Sequence, residues 1–458
     1  MKVLVCGAGQ VGFSIARYLS LENNDVTVID TSPSLIQTVQ DVLDVKGLVG
    51  YASHPDTLNE AEAADADMII AVTLSDEVNM VACQVAHSLF NVPKKIARIR
   101  ARSYLETIWA DLFSRDHLPI DVIISPEYEV AKSIARRLEV PGTLDMISLA
   151  DDRVRLVGVS CTPETPIINT PLRQLAALFP DLNIIIVGIV RNDRLSVPSQ
   201  DDQMLPGDEI YFVAERTHVA RAMAAFGHEE PEARRIAVFG GGNIGLSLAE
   251  MLEVQDKSIS LKVIERERSR AQFVAQTLSR SIVLHGDTLD PAIQNEANVM
   301  AAETVIAVTN DDKVNMIASL IAKRQGAPRV VTLINEASYG PLMRSLGVDA
   351  VVSPRAITVS TILHHVRRGR IRSVHSLGDA FGEIIEAEAL ETSEIVGTPM
   401  REVDLPAGIV IGAVVHGDDV IIPGAETIIR VGDRVVIFAV SEMVNKVERI
   451  LRVRPEYF

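Results

Sequence analysis

The sequence predicts an α/β fold made of two tandem, doubly wound parallel sheets, each followed by a small α+β C-terminal module. Three observations lead to this prediction. The chain repeats itself once, strand-like and helix-like segments alternate in the first part of each repeat, and the strand-like segments are almost wholly apolar. Such strands are typical of parallel sheets whose two faces are both covered by helices.

The internal repeat is visible as matching blocks in the same order. The segment AVTLSDEVNM (71–80) recurs as AVTNDDKVNM (307–316), with seven of ten positions identical. The spacing between matching blocks changes only by loop-sized amounts, so the chain is a duplication of about half its length. The other blocks are VLVCGAGQVG (3–12) with IAVFGGGNIG (236–245), TPLRQL (170–175) with TPMREV (398–403), and LPGDEIYFVA (205–214) with VGDRVVIFA (431–439).

Strands and helices alternate in the first part of each half, which predicts a doubly wound sheet. In SDEVNMVACQVAHSLF (75–90), apolar residues recur at helical spacing. The other first-half segments are the strands KVLVC (2–6), DVTVID (25–30) and ADMIIAVT (66–73), and the helices VGFSIARYLS (11–20) and PSLIQTVQDVL (33–43).

Short β runs with turn signals dominate the second part of each half. The pairs Gly207-Asp208 and Gly432-Asp433 predict turns that open a strand. The joints are expected at EPEARR (230–235), between the halves, and at the helices after the two Ser-Pro dipeptides inside the halves. The predicted modules span residues 1–123, 141–226, 232–352 and 370–455, the first and third containing the doubly wound sheets.

Composition limits the possible functions. The net charge of −17 argues against a general nucleic-acid binder, which needs a basic face. The three cysteines are far apart and form no CxxC pair, so we expect reduced, buried thiols in a cytosolic protein. The longest apolar runs are only strand-sized, so we expect no signal peptide and no membrane span.

Two glycine fingerprints of the GxGxxG type follow a strand and open a helix, as a Rossmann-like nucleotide site requires. An acid ends the second strand of each half: Asp30 lies 18 residues after Gly12, and Glu265 lies 20 residues after Gly245. A carboxylate there accepts hydrogen bonds from an adenosine ribose and repels a 2′-phosphate, so NAD(H) is favoured over NADP(H). The alternative is that the glycines only fold the strand-helix corner; two complete fingerprints favour nucleotide binding.

The AVT segments are expected to end at the same crevice, because the fourth strand of a doubly wound sheet lies beside the first. We therefore expect Thr73 and Thr309 to contact the ligand. Helix caps are expected from Ser75 or Asp76 in the first half and from Asp311 or Asp312 in the second, with the acids favoured. The recurring pair Asn79 and Asn315 is compatible with either role.

Arginines differ between the halves. Arg98 and Arg100, in the strand IARIR, are equally compatible with phosphate contact and with a solvated sheet end. The second half has Asn335 at the position of Arg100. Arg266 and Arg268 follow Glu265 and could compensate, although a solvated helix face is the better interpretation.

No catalytic constellation accompanies the nucleotide sites. HExxH, GxSxG and Walker lysine motifs are absent from the sequence, and the histidines outside the pair His364-His365 have no counterparts at matching positions. This pair precedes the basic run VRRGRIR (366–372), interpreted as a charged helix end rather than a lipid-docking segment. We therefore predict a nucleotide sensor rather than an enzyme. The alternatives are an NAD-dependent oxidoreductase and a sensor without a membrane partner.

On GAGQVG, DVTVID, AVTLSDEVNMVACQVAHSLFN, IARIR, GGGNIG and AVTNDDKVNM, the chain resembles the RCK family, also called KTN, whose members regulate potassium channels and transporters. The resemblance covers essentially the whole chain. It implies a non-enzymatic regulatory subunit, peripheral to the cytoplasmic face of the membrane, that gates potassium uptake through a separate integral membrane subunit. It also implies a ring, which for this double-unit chain is a homotetramer with eight nucleotide domains.

The resemblance further implies NAD, as NADH or NAD⁺, as the ligand, with ATP or ADP as alternatives. The segment after the third strand departs from the family pattern in the first half, where Tyr51 of GYAS (50–53) replaces the carboxylate of HGDTL (285–289). The two sites are therefore expected to differ in affinity or preferred nucleotide. The implied contacts are Gly7, Ala8, Gly9, Gln10, Val11, Gly12, Asp30, Thr73, Leu74 and Arg98 in the first half, and Gly240, Gly241, Gly242, Asn243, Ile244, Gly245, Glu265, Thr309 and Asn310 in the second.

Overall fold

The computed structural model describes residues 1–21, 24–179, 182–192, 194–229, 232–336, 338–366, 371–377 and 382–451. Parts of EPEARR and VRRGRIR, and the end of the last predicted module, lie outside these residues. The described chain forms two compact units, one of residues 1–130 with 354–366, the other of residues 131–353 with the chain after 366.

The first unit contains a six-stranded parallel sheet with the order β3-β2-β1-β4-β5-β6. This is the doubly wound sheet that the alternating pattern predicts, with the switch point between β1 and β4. Its elements are β1 (Lys2–Cys6), α1 (Gln10–Leu21), β2 (Asp25–Asp30), α2 (Pro33–Val42), β3 (Lys46–Val49), α3 (Pro55–Glu60), β4 (Met68–Ala71), α4 (Asp76–Phe90), β5 (Lys94–Arg98), β6 (Val122–Ile124) and the start of α5 (Pro126–Glu139).

Both faces of this sheet are buried, which explains why its strands are continuously apolar. Val3 and Val5 of β1 belong to one core with Ile15 of α1. The intervening Leu4 and Cys6 belong to the opposite core, under α4. Successive strand residues point to opposite faces, so a strand covered on both sides has no polar register.

The second unit repeats the parallel sheet, with the order β14-β13-β12-β15-β16-β17. Two antiparallel sheets, with the orders β10-β9-β11-β8-β7 and β18-β19-β22-β20-β21, form the α+β modules, so the predicted fold class is confirmed.

The second unit's elements, in chain order, are β7 (Thr143–Leu149), β8 (Val154–Ser160), α6 (Leu172–Leu178), β9 (Ile184–Arg191), β10 (Arg194–Ser196), β11 (Glu209–Glu215), α7 (Val219–Ala225), β12 (Arg235–Phe239), α8 (Asn243–Gln255), β13 (Ser260–Glu265), α9 (Arg268–Thr277), β14 (Ile282–His285), α10 (Pro291–Glu296), β15 (Thr304–Ala307), α11 (Asp312–Arg324), β16 (Val330–Leu333), α12 (Tyr339–Ser345), β17 (Ala350–Val352), β18 (Ile371–Leu377), β19 (Gly382–Glu388), β20 (Ile409–His416), β21 (Asp419–Ile421), β22 (Arg434–Val440) and α14 (Val444–Ile450). Helix α13 (Pro354–Val366) lies in the first unit.

The helices that follow the parallel sheets are exchanged between the halves. Helix α13 follows β17 in sequence, yet its Ile362 and Leu363 are buried in the core of the first sheet. The later part of α5 belongs to the second unit, where Arg137 donates to the carbonyl of Val351 in β17 at 3.3 Å. Each half therefore completes the sheet layer of the other.

The two antiparallel sheets share one apolar core within the second unit. Leu156 and Val213 from the first module pack in the same core as Ile384 and Phe438 from the second. Each sheet buries its other face against its own helices. The two modules therefore pack against each other through this shared core, and each is closed on its other side by its own helices.

The three cysteines are buried and free, as the sequence predicts. Burial raises the pKa of Cys6 and Cys161 to about 12. Since the thiolate is the reactive form, these thiols are packing groups at neutral pH.

One carboxylate makes part of the second unit sensitive to acid. Glu253 of α8 accepts hydrogen bonds from the N–H groups of Ser279, Arg280 and Ser281, at 2.7–3.0 Å, and from the Ser281 hydroxyl at 2.7 Å. Burial alone would raise the pKa of Glu253, but these hydrogen bonds outweigh it and hold the pKa at about 2 instead of 4.5.

We predict that Glu253 contributes stability that is complete above about pH 4.5 and is lost as the pH falls towards 2. Urea unfolding of the chain and of Glu253→Gln, measured between pH 6 and 3, is expected to show a smaller loss of unfolding free energy for the variant. The control is Glu250→Gln, a neighbouring half-buried position on α8. Equal slopes for Glu253→Gln and the unmodified chain would contradict this account.

Candidate functional site

The first glycine corner joins β1 to α1. Gly7 has φ of +110°, and a Cβ there would lie 3.1 Å from the Thr73 nitrogen. A Cβ on Gly12 would lie 1.8 Å from the carbonyl oxygen of Gly7, so only glycine lets the helix pack against the turn. A Cβ added at Gly9 would meet no atom within 4 Å apart from those of its neighbours in sequence. The corner is therefore closed at its base and open where a ligand backbone would approach.

The second corner, between β12 and α8, repeats this geometry. Gly240 has φ of +106°, and a Cβ there would lie 3.0 Å from the Thr309 nitrogen. A Cβ on Gly245 would lie 1.9 Å from the carbonyl oxygen of Gly240, whereas Gly242 has no chain atom within 4 Å of its built Cβ. The three glycines thus have the same separate roles in both halves.

Asp30 lies at the end of β2 beside the first corner. Its carboxylate accepts hydrogen bonds from the N–H of Ala8 at 2.7 Å and from the N–H of Ser32 at 2.8 Å. These contacts fix the carboxylate at the rim of the glycine loop. A carboxylate has about four lone-pair sites, so capacity remains for the hydroxyls of a ribose.

Glu265 occupies the corresponding place at the end of β13. Its carboxylate accepts from the N–H of Gly241 and from the N–H of Glu267, both at 2.8 Å. The longer glutamate side chain thus reaches the same two backbone positions as Asp30.

A buried asparagine closes the other wall of the first crevice. The Asn79 side-chain oxygen accepts from the N–H of Thr73 at 2.9 Å and from its hydroxyl at 2.7 Å. The Asn79 amide donates to the carbonyl oxygens of Thr73 at 3.3 Å and Arg98 at 2.9 Å. Asn79 therefore ties the loop after β4 to the end of β5, a role that its recurrence in the sequence left open.

Asn315 makes the same contacts in the second half. Its oxygen accepts from the N–H and the hydroxyl of Thr309, at 2.8 and 2.7 Å. Its amide donates to the carbonyls of Thr309 and Leu333, both at 3.0 Å. Both threonine hydroxyls therefore donate to the asparagine oxygen, and they also lie at the edge of the crevice.

The helix caps differ between the halves. Ser75 caps α4 by accepting from the N–H of Val78 at 3.3 Å, so an acidic cap is wrong for the first half. Asp76 instead accepts from the N–H of Arg100 at 2.9 Å and from the next N–H in the chain. In the second half Asp311 caps α11, as expected. The serine hydroxyl reaches one first-turn amide, that of Val78, where Asp311 reaches two, those of Lys313 and Val314.

Arg98, at the end of β5, is 9% exposed. Its Nη2 donates to the carbonyl oxygen of Thr73 at 2.6 Å, while its Nε is buried and has no hydrogen-bond partner among the described residues. Burial lowers the pKa of Arg98, and the neighbouring Arg100 lowers it further. A buried guanidinium with an unsatisfied donor favours an anion close by.

Arg100 is engaged outside the crevice, because its Nε donates to Glu127 at 2.7 Å. Asn79 donates to the carbonyl oxygen of Arg98, and Asn315 donates to that of Leu333. Leu333 therefore occupies in the second half the position of Arg98. Asn335 stands at the position of Arg100 and donates to Asp312 at 2.9 Å. Among the described residues, the second crevice therefore has no guanidinium at the positions of Arg98 and Arg100.

The remaining predicted contacts lie along the loops. Leu74 is 87% exposed, and Asn310 is also exposed, beyond the threonine in each half. Ala8 and Gly241 are buried beneath the glycine loops, whereas Gln10 and Asn243 are exposed at the helix starts and Val11 and Ile244 are half-buried.

Sequence reasoning missed Arg270, on the first turn of α9. Its Nε donates to the carbonyl oxygen of Gly241 at 2.8 Å, and its Nη2 donates to the side chain of Asn243 at 3.2 Å. Arg266 and Arg268 are both exposed, which agrees with the favoured interpretation of a solvated face. The signal available in the sequence was the position of Arg270 on the first turn of the helix after Glu265, because that turn faces the glycine loop.

The segments after the third strand also differ. Tyr51 is exposed and stacks on His54, with ring centroids 4.9 Å apart. Asp287, its counterpart, accepts from the N–H of Leu289 at 2.9 Å. The first crevice thus has an aromatic pair beside β3 where the second has a carboxylate.

These residues fit an adenine nucleotide. The space over Gly9 and Gly242 is open at a helix N-terminus, where phosphate groups are readily bound, and a fixed carboxylate lies beside each loop. Among the described residues, no group of three or more His, Cys, Asp or Glu side chains is placed to hold a metal ion. In the same residues, no helix has both the length and the apolar character needed to span a membrane.

Comparison with known families gives matches in both halves. The model described as the TrkA-N domain matches residues 3–126 and 236–354. The model described as the TrkA-C domain matches residues 156–227 and 384–452. Together these matches cover most of the chain.

Two similar relatives are both described as Trk system potassium uptake protein TrkA. The chain is 53% identical over 458 residues to that of Azorhizobium caulinodans and 39% identical over 462 residues to that of Halomonas elongata, covering 100% of both chains in each case. Among solved structures, the GsuK RCK domain matches with a TM-score of 0.60 and 20% identity, covering 98% of this chain and 94% of that one. The GsuK channel bound to NAD matches with a TM-score of 0.58 and 20% identity over 98% of this chain and 78% of that one.

We predict that Gly9→Ala and Gly12→Ala fail for different reasons. Gly12→Ala is expected to lower the thermal unfolding temperature, because its Cβ would collide with the Gly7 carbonyl. Gly9→Ala is expected to keep that temperature and to weaken nucleotide binding, because its methyl group projects into open space. Differential scanning calorimetry and titration calorimetry with NADH measure the two effects. Equal unfolding temperatures for the two variants would contradict the assigned roles.

Proposed function

The chain belongs to the TrkA family of Trk system potassium uptake proteins, and from this premise we propose that it is a non-catalytic regulatory subunit that binds NAD(H) and gates potassium uptake. The pore belongs to a separate integral membrane subunit of the TrkH or TrkG type. The chain acts at the inner, cytoplasmic face of the membrane, as a ring of four copies. The observation that carries this proposal is the full-length match to potassium-uptake relatives.

The ligand is proposed to lie across each switch point. Its pyrophosphate rests on the amides of Gly9 to Gly12 or of Gly242 to Gly245, at the start of a helix. The adenosine ribose is held by Asp30 or Glu265, and Arg98 neutralises phosphate charge in the first crevice alone. Thr73 with Leu74, and Thr309 with Asn310, form the opposite wall. ATP and ADP share the adenosine phosphate and are alternative ligands.

Regulation requires that the ligand binds two arrangements of the protein unequally. A nucleotide shifts the equilibrium between them only by its difference in affinity. A coupling of about 1–3 kcal/mol corresponds to a roughly 5–150-fold change in affinity, which is sufficient to regulate transport.

We predict that Asp30→Ala and Glu265→Ala each weaken one nucleotide site. Loss of a hydrogen bond to a charged group costs about 1.5–3 kcal/mol, so the affinity of that site falls roughly tenfold or more. Titration calorimetry with NADH, NAD⁺, ATP and ADP measures the change, and each variant is the control for the other half. A loss at both sites in either single variant, or at neither, would contradict the separate roles.

We predict that the immobilised chain retains a potassium-translocating membrane subunit from detergent-solubilised membranes of the native cell. We also predict that deletion of the gene for this chain slows growth at limiting potassium. Recovery of soluble metabolic enzymes alone would exclude the membrane partner. Normal growth of the deletion strain would favour a sensor without one. Sustained oxidation of NADH with a small carbonyl compound would indicate an oxidoreductase instead.

A further inference from the structure

Arg270 gives the second crevice a positive charge that the first crevice does not have at this position. Its guanidinium bridges the carbonyl oxygen of Gly241 and the side chain of Asn243, and it lies over the ring of Phe273, 5.0 Å from the centroid. The side chain is half-buried. These contacts hold the charge against the glycine loop, at the helix start where a phosphate would bind.

The first crevice has an aliphatic residue in this place. Arg270 lies five residues after Glu265, and Leu35 lies five residues after Asp30, each on the helix that comes after the acidic strand end. Phe273 likewise corresponds to Thr38. The stacked guanidinium is therefore a feature of the second half alone.

The opposite wall shows the reverse difference. Arg98 ends β5 in the first half, and Leu333 ends β16 in the second. The described residues thus place a guanidinium in each crevice, in the first half beside the loop after β4 and in the second half beside the acid.

Sheet topology relates these walls to the ligand. In each parallel sheet the acid ends the strand on one side of the central strand, and β5 or β16 lies two strands away on the other side. A nucleotide whose ribose is bound by the acid extends across the switch point towards β5 or β16. Arg270 therefore lies near the phosphate next to adenosine, and Arg98 lies towards the far end of the ligand.

On the premise of the proposed nucleotide binding, we infer that Arg270 binds the adenosine-proximal phosphate, so that the second crevice recognises the adenosine 5′-phosphate common to all adenine nucleotides. The first crevice, through Arg98, distinguishes ligands by the groups that they carry beyond that phosphate. AMP, ADP, ATP and NADH consequently bind the second crevice with similar affinities and the first with different ones.

The test is titration calorimetry with AMP, ADP, ATP and NADH on the full chain, with Asp30→Ala as the background in which the first site is weakened and the second site is unchanged. Adding Arg270→Leu, which installs the residue of the first half, is expected to lower the affinity for all four ligands about tenfold, the scale of one charged hydrogen bond. It is also expected to reduce the weakening of binding by added salt, because a Coulomb contact is lost. Arg268→Leu, on the exposed face of α9, is the matched control and is expected to change neither.

In the Glu265→Ala background, Arg98→Leu is expected to weaken the binding of ADP, ATP and NADH at the first site about tenfold, and the binding of AMP less than about twofold.

Unchanged binding in Arg270→Leu, or a loss confined to one ligand, would overturn the assignment while leaving the proposed function intact. If the unmodified chain bound none of the four ligands, the proposed function would fail and the assignment with it. Far-ultraviolet circular dichroism and the unfolding temperature verify that each variant is folded, and Arg270→Lys, which keeps the charge, should retain the salt dependence.

Discussion

A buried asparagine amide determines the shape of each crevice. Asn79 and Asn315 are fully buried, and each uses both ends of its side chain to join the loop after the fourth strand to the end of the fifth. An unpaired amide at that depth is costly, so the four contacts form as a set. The loop held in this way carries the threonine nitrogen that lies against the first glycine of the corner. The positions of the glycine turn, the threonine and the fifth strand therefore all depend on one side chain.

Much of the architecture can be predicted from local patterns. Continuous apolar strands between amphipathic helices predict a doubly covered parallel sheet, and the repeated blocks predict two of them. The exchange of α5 and α13 between the halves has no such signal, because an amphipathic helix packs equally well on any apolar face of suitable shape. Only the three-dimensional structure shows that Ile362 completes the first sheet.

The crevices show where sequence reasoning stops. Strand ends and glycine spacing locate Asp30 and Glu265, since backbone geometry fixes those positions. The orientation of a long side chain depends on its neighbours in space, so the sequence considered Arg266 and Arg268 and gave no indication of Arg270. The recurrence of Asn79 indicated importance without indicating contacts. The sequence favoured the acid Asp76 over Ser75 as the cap of α4, but Asp76 instead accepts from the backbone amides after β5, and Ser75 caps the helix.

The duplication has preserved backbone constraints and changed side-chain charge. The glycines, the acids and the buried asparagines occupy matching positions in both halves. The arginines do not: Arg98 lies on one wall of the first crevice, and Arg270 lies on the other wall of the second. A crevice that reads only adenosine 5′-phosphate is filled by the sum of all adenine nucleotides, so its occupancy changes little when one nucleotide is converted into another. Ligand binding there stabilises the folded state at all times, by a term that grows with total concentration. A crevice that distinguishes the far end of the ligand responds to the ratio of nucleotides instead. Only the second kind of response carries metabolic information, so the inferred roles of Arg98 and Arg270 would make the first crevice the sensor and the second the one that maintains the structure on which it acts.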